Sequence, residues 1–181
     1  MATLDRDIQA SPSLPAAWRN LLLTVHVLAT VGVFGADLVL LVLGAASVFG
    51  ADPRTVYPAA HLIGEILVQP LALVSLGTGV ALALLTPWGL FRYWWTAIKL
   101  AITTALTIVV LLVLVPRLGA AADVAAIAGP QPLRAERVPL MLAPAFGSSL
   151  LALNVALAVY KPRWRLRGAP VEARRTQHEF A

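Results

Sequence analysis

The chain has 181 residues, of which 59% are hydrophobic and 13% are charged, and its formal net charge is +5. The hydrophobic share exceeds the roughly 45–50% of soluble domains and is gathered in long uncharged runs, which excludes an ordinary soluble protein. No cysteine is present, which excludes disulfides, thiolate metal sites and cysteine redox chemistry. The composition therefore predicts a polytopic membrane protein in contact with the lipid bilayer.

The basic residues are concentrated at one end of the chain. Six of the 14 Lys and Arg residues lie in the last 21 positions, directly after an apolar segment. We predict that residues 162–181 form a basic cytoplasmic tail that lies on anionic lipid headgroups. Nucleic-acid binding would need aromatic side chains interleaved over a folded basic surface, so we predict no nucleic-acid partner.

The first membrane span follows a polar start. Residues 1–17 contain Ser and Pro breakers without apolar periodicity, which predicts a disordered N-terminal arm. The first helix is predicted over 18–49, and from Leu21 to Phe49 it is apolar apart from His26 and Asp37, a run much longer than the core of a cleavable signal peptide. We therefore predict a retained membrane-spanning helix there.

The second helix is predicted over 57–85 and carries a polar stripe. His61, Glu65 and Gln69 follow one another at intervals of four residues, which places them on one side of the helix. Pro70 comes next, and its missing N–H predicts a kink near the middle of the helix.

The third and fourth helices are predicted over 90–116 and 138–161. Lys99 lies about two turns inside the third span, where a formal charge is a functional candidate by default. The segment after Pro116 is long, Ala-rich and dotted with charges and prolines, so we predict a loop outside the membrane. In the fourth helix, Asn154 belongs to a stripe of small and amide side chains suited to packing against a neighbour.

Four spans in one domain predict an all-α, four-helix transmembrane bundle. Without Lys99, nine basic residues fall on the side of the two termini and four on the other side. By the positive-inside rule we predict that both termini are cytoplasmic. We expect a multi-pass protein of the cytoplasmic (inner) membrane of a bacterium.

One block of the chain resembles a known family. The sequence Thr-Pro-Trp-Gly-Leu-Phe-Arg at 86–92, followed by Trp95 and Lys99, is similar to a widespread bacterial family of small four-helix integral membrane proteins of unknown function. The resemblance covers residues 20 to about 115 and includes the Thr-x-His-Val pattern around His26. More remotely, an early His in the first helix and an early Lys in the third resemble four-helix haem-binding and copper-resistance membrane proteins.

The resemblance implies that any family-wide role rests on His26 and Lys99. Each lies seven residues past an interfacial arginine, so both are expected about 10 Å inside the same membrane face. We predict that they face each other across the contact of the first and third helices, as haem ligand and propionate partner or as part of a proton path. Alternatively, His26 bonds a carbonyl or hydroxyl of a neighbouring helix and Lys99 snorkels to the headgroups.

Three other polar residues of the spans, Asp37, His61 and Glu65, depart from the family pattern. Asp37 is expected to be protonated, to pair with a polar group such as Gln69, or to belong to a proton or ion path with Glu65 and Lys99. Glu65 and His61 can pair with each other, but two ligands are too few for zinc and we predict no metal site. His61 is expected near the opposite membrane face from His26, which separates the two histidines by on the order of 15 Å along the membrane normal. We therefore predict that they do not share one haem iron.

No motif for catalysis is found. The chain lacks Gly-x-Ser-x-Gly and phosphate-binding loops, which favours a role that is not enzymatic. We predict a structural, accessory or interaction protein, as a homo-oligomer or within a membrane complex, because small-residue helix faces favour association in lipid. The alternative is a haem-binding or proton- and ion-handling protein that uses His26 and Lys99.

Overall fold

The structure, a computed structural model, describes residues 15–85, 94–128 and 137–160. All regular structure in these ranges is helical, and four helices are long and apolar enough to cross a membrane. The predicted all-α architecture is therefore confirmed, and the chain is a multi-pass membrane protein. The four helices are α1 (Ala16–Val48), α2 (Pro53–Leu85), α3 (94–128) and α4 (Arg137–Tyr160).

Several predicted features lie outside the described residues. They are most of the N-terminal arm, the aromatic turn at 86–93, the segment 129–136, the last residue of the predicted fourth helix at 161 and the basic tail at 162–181. Residues 16 and 17 were predicted as part of the arm but belong to α1.

The helix α2 begins four residues before the predicted start. The side chain of Asp52 accepts a hydrogen bond from the backbone N–H of Arg54 at 3.0 Å, and Pro53 occupies the first helical position, where its missing N–H costs nothing. Gly50 adopts a φ of 101°, which lets the chain turn sharply between α1 and α2. This short connection makes α1 and α2 antiparallel neighbours.

Both α2 and α3 contain one widened, π-helical turn that ends two residues before a proline. Gly64–Val68 precedes Pro70, and Val110–Leu114 precedes Pro116. In each case the residue before the proline donates its N–H to the carbonyl five residues back. A proline ring clashes with the carbonyl four residues earlier, and a wider turn moves that carbonyl aside. The predicted disturbance of the helix at Pro70 is thus a widened turn, and it contacts its counterpart in α3.

The predicted loop after Pro116 is wrong, because α3 continues through Val115–Ala128. The segment is rich in Ala, the best helix former, and its charged side chains point to the exposed side. Its small face buries Leu118, Ala121 and Ala125 in the core of the bundle. The charges that suggested a loop therefore lie on one exposed side of a packed helix.

The largest buried cluster fills one half of the bundle, which we call the closed half. It is formed by the C-terminal half of α1, the first half of α2, the second half of α3 and the first half of α4, and it includes Leu40, Tyr57 and Leu118. The other half, which we call the open half, has a much smaller buried cluster around Val33 and Leu151. Elsewhere the bundle exposes Leu, Val and Ile side chains on all four helices, as a surface in lipid does.

The antiparallel pair α1 and α4 makes the closest helix contact. A Cβ atom on Gly44 would lie 2.5 Å from the carbonyl oxygen of Leu140, so only glycine lets the two backbones meet there. Two turns earlier in α1, Asp37 packs against Gly147 of α4. These contacts set the register of the two helices.

Candidate functional site: a cavity in the open half

A cavity of about 330 Å³ lies in the open half of the bundle. There α2 and α4 each pack on both α1 and the first half of α3. The cavity lies between α1 and α3. Its volume is at the lower end of the range of small-molecule pockets, about 300–1,000 Å³. Most of the wall is apolar, and the polar residues that line it are His26, Thr30, Asp37, Ser75, Lys99, Thr103, Thr107 and Asn154.

The ring of His26 is held by α2 through one nitrogen. Its Nδ1 lies 3.0 Å from the carbonyl oxygen of Ser75 and 3.1 Å from Oγ1 of Thr78. A carbonyl can only accept, so Nδ1 carries the proton and donates. The Thr78 hydroxyl donates to the carbonyl of Val74 at 2.6 Å, which leaves its oxygen to accept from the same N–H.

The second nitrogen of His26 remains as an acceptor. With the proton on Nδ1, a neutral imidazole carries a lone pair on Nε2. Among the described residues, no group lies at hydrogen-bond distance from Nε2. The alternative interpretation, in which His26 bonds a neighbouring helix, thus applies to Nδ1. The residue also lines the cavity.

Gly79 makes room for this ring. A Cβ atom there would lie 3.0 Å from Cε1 of His26, so the imidazole packs directly on the backbone of α2. One turn deeper, the hydroxyls of Thr30 and Ser75 lie 2.9 Å apart and join the same two helices. The position of the imidazole is therefore fixed by a hydrogen-bonded contact between α1 and α2.

Lys99 lines the same cavity from α3. Its side chain is partly buried and lines the wall together with that of His26. The sequence predicted a direct contact of the two helices at this level, whereas the structure places a cavity between them. His26 and Lys99 are thus brought to one site, on the walls of a space that a ligand can occupy.

Asn154 joins α4 to α3 at the cavity wall. Its Nδ2 donates to Oγ1 of Thr103 at 2.9 Å, and Thr107 bonds back to the carbonyl of Thr103 at 2.8 Å. Asn154 is only 6% exposed, and its Oδ1 is buried without a hydrogen-bond partner in the described part of the chain. An unpaired buried acceptor costs about 1–3 kcal/mol, so a donor is expected to reach this oxygen.

Asp37 lies at the deep end of the cavity, close to the closed half. The hydroxyl of Ser148 donates to its Oδ2 at 2.7 Å, and Gly147 lets the backbone of α4 approach the carboxyl group. The sequence proposed Gln69 as a pairing candidate, but the structure shows Ser148 in that role. Asp37 is buried where α1 meets α4, whereas Gln69 is on α2.

His61 and Glu65 form a separate pair on α2. Their Nε2 and Oε2 atoms are 3.4 Å apart, and the Glu65 side chain is 60% exposed. His61 packs on Gly119 of α3, in the segment that was predicted as a loop. It precedes Ser75 by 14 residues, about 21 Å along α2, so the two histidines occupy different sites, as predicted.

No three His, Asp or Glu side chains converge on a possible metal position within the described ranges. The cavity instead unites four residues that the sequence singled out, which are His26, Asp37, Lys99 and Asn154. His26 and Asp37 are held by hydroxyl and glycine residues that sequence reasoning did not assign to a site, namely Ser75, Thr78, Gly79 and Ser148. Such residues are common in membrane helices, so the sequence does not distinguish those of a site from the rest. Only their position opposite a polar partner in the folded bundle identifies them.

Comparisons with protein-family models, with curated protein sequences and with solved structures find no match to this chain. Function is therefore inferred from the chemistry of the cavity.

Proposed function

We propose that this membrane protein binds a small ligand or cofactor in the cavity of the open half, with His26 and Lys99 as the residues that hold it. One observation carries the proposal: the imidazole is anchored through Nδ1, and its Nε2 lone pair is left on a cavity that also receives a lysine. A histidine that only joined two helices would need neither the cavity nor the nearby cation. The lone pair of His26 can bind a metal or accept from a donor, and the ammonium group of Lys99 can bind an anion or donate to an acceptor. The site therefore favours a ligand that offers one group of each kind.

Haem is the specific cofactor that we consider first. His26 is of the right type to ligate its iron and Lys99 to pair with a propionate, which matches the resemblance to haem-binding membrane proteins. When bound, haem would supply electron-transfer or gas-binding chemistry. Among the described residues the cavity wall carries no second histidine, methionine or cysteine, so the chain itself supports a single axial ligand there.

A proton path is less well supported than ligand binding. Asp37 and Lys99 line the same cavity, but Glu65 lies outside it and is paired with His61. The structural or accessory role predicted from the small-residue faces is the competing outcome of the tests below.

The setting proposed for this site is the inner membrane of a bacterium, with both termini cytoplasmic and the cavity in the cytoplasmic half. The nine-to-four distribution of basic residues supports this orientation. A reporter fused after residue 181 and one inserted between α3 and α4, within residues 129–136, are expected to report opposite sides of the membrane. The same side for both would contradict the four-span topology.

The test of ligand binding is to purify the full chain from membranes and to identify bound small molecules by native mass spectrometry and by visible absorption. We expect a bound species in the natural chain that is lost in His26→Ala and weakened in Lys99→Met, which keeps the apolar stem. His61→Ala is the matched control, because it removes a histidine of α2 that lies outside the cavity. A Soret band that disappears only in His26→Ala supports haem; a colourless protein that takes up no added haem excludes it.

The wider proposal fails if the natural chain and His26→Ala carry the same bound species, or if neither carries any. In that case a structural role for the contact between His26 and Ser75 is the better account.

A further inference from the structure

Two hydrogen-bond acceptors at the cavity lack a donor among the described residues. One is Nε2 of His26 on α1, and the other is Oδ1 of Asn154 on α4. Both residues line the cavity, and Asn154 is only 6% exposed. The buried Oδ1 of Asn154 is stable only when a donor reaches it, and the cavity is the space from which a donor can reach both acceptors.

The register of the helices gives the difference in depth between His26 and Asn154. Asp37 faces Ser148 and Gly44 faces Leu140, so residue numbers on α1 and α4 change in opposite directions. Continued by the same count, Asn154 stands near the level of residue 31, about five residues or 7 Å deeper than His26. A ligand that serves both acceptors therefore carries two donors at different depths of the cavity, one for each residue.

The surroundings of His26 specify the first donor further. A hydroxyl can donate to Nε2 and at the same time accept from the ammonium group of Lys99. A carboxylate or a carbonyl can accept from Lys99 but has no proton for Nε2. The site therefore favours a hydroxyl over an acid anion or a ketone.

The cavity opens towards lipid. Its wall includes three residues of one side of α1, namely Leu23, Val27 and Val31, together with Val155 of α4, and each of these is about half exposed or more. On membrane-spanning helices such side chains face acyl chains. A ligand can thus arrive from the bilayer and leave an apolar tail in it.

We propose that the ligand is a lipid-soluble aromatic diol of the quinol class. One hydroxyl lies between His26 and Lys99, the hydroxyl on the opposite side of the ring donates to Asn154, and the apolar tail passes the rim at Val31 and Val155. This inference rests on the proposed function and narrows it to one ligand class. It concerns binding alone, and the oxidised quinone, which has acceptors at both ends, is its natural counter-ligand.

The experiment compares the two redox forms of one probe. Binding of an alkyl-substituted hydroquinone and of the corresponding quinone to the purified full chain in lipid nanodiscs is measured without oxygen by calorimetry. We expect the hydroquinone to bind at least about tenfold more tightly, because the quinone has no proton to donate to Nε2 of His26 or to Oδ1 of Asn154. This comparison uses the natural chain and does not depend on the folding of any variant.

Variants then assign the two ends of the ligand. Asn154→Leu is expected to reduce hydroquinone affinity about tenfold and to shrink the preference over quinone, whereas Ser149→Ala, on the exposed side of α4, leaves both values unchanged. Val31→Trp is expected to slow uptake from lipid, and Val42→Trp, equally exposed on α1 but away from the cavity, is its control.

The outcomes separate this inference from the proposed function. If the quinone binds as tightly as the hydroquinone, the proposal of a quinol-class ligand is wrong, while the proposed ligand site stands. The same conclusion follows if the chain binds haem but neither the hydroquinone nor the quinone. The absence of any bound species or probe overturns both.

Discussion

The closed and open halves of the bundle are built from the same four helices, yet they are held together differently. In the closed half the backbones of α1 and α4 touch at Gly44, and apolar side chains such as Leu40 and Tyr57 fill the space between helices. In the open half the helices are joined by hydrogen bonds between side chains and to carbonyls, as at His26 and Asn154, around a cavity. The boundary between the two halves lies close to the widened turns of α2 and α3, because Val68 and Val110 belong to these turns and line the cavity.

This difference has a physical cause. Lipid provides no hydrophobic force that draws apolar helices together, so close contact depends on small residues that let backbones approach. Where a polar side chain replaces a small one, the helices stand farther apart and the polar group needs a partner. The closed half thus sets the register of the helices, and the open half has space for a ligand. The four predictions that follow test this division, from the largest expected effect to the smallest.

Gly44→Ala is expected to be the most damaging substitution. The new Cβ would lie 2.5 Å from the carbonyl oxygen of Leu140, a backbone atom that cannot move aside without separating α1 from α4. We expect a loss of about 3 kcal/mol in the free energy of unfolding, at the upper end of overpacking effects. The measurement is unfolding of the purified protein by increasing denaturing detergent.

Gly35→Ala is the control for this substitution, since nothing lies within 4 Å of a Cβ there. It should leave stability unchanged or raise it slightly, because Ala is a better helix former. Equal stability of the two variants would show that the closed half is not held by backbone contact.

Ser148→Ala is expected to have the next largest effect. It removes the hydroxyl that donates to Asp37 at 2.7 Å and leaves a buried carboxyl group without that bond. We expect a loss of about 1–3 kcal/mol in the free energy of unfolding, measured as above. Ser149→Ala removes an exposed hydroxyl that bonds only its own helix and should have no measurable effect. If both serines behave alike, the bond to Asp37 does not stabilise the boundary of the two halves.

Gly79→Ala is expected to impair the open half with little loss of stability. The new Cβ would lie 3.0 Å from the ring of His26, which can shift because it is the end of a side chain. The shift moves Nε2, so we expect ligand affinity to fall about tenfold while unfolding changes by less than about 1 kcal/mol. Gly77→Ala, with nothing within 4 Å, is the matched control on the same helix. If Gly79→Ala binds the ligand with unchanged affinity, His26 is not part of the binding site.

Glu65→Gln is expected to have the smallest effect, although Glu65 belongs to the helix half that helps to form the closed core. The pair with His61 spans 3.4 Å, and the Glu65 side chain is 60% exposed. Such exposed i, i+4 pairs contribute about 0.5 kcal/mol or less, so unfolding and ligand binding should both stay close to those of the natural chain. A clear loss of ligand binding would instead connect this pair to the cavity.

By itself the sequence determined that the chain has four membrane-spanning helices and where most of them lie. A run of about 20 apolar residues crosses a bilayer whatever its neighbours are, so hydropathy alone carries this information. It also singled out His26, Lys99, Asp37 and Asn154, because polar groups are costly inside a membrane and seldom occur there without a partner or a function.

Only the tertiary structure decided which of these groups meet. The partner of Asp37 is Ser148 rather than Gln69, because the backbone contact at Gly44 sets the register of α1 against α4. The segment after Pro116 is helical because its alanine face finds a core to pack on, which no local pattern reveals. The open acceptor on His26 likewise depends on a carbonyl of another helix. Contacts between helices depend on their rotation and register, and these are fixed by packing across the whole bundle rather than by any single stretch of the chain.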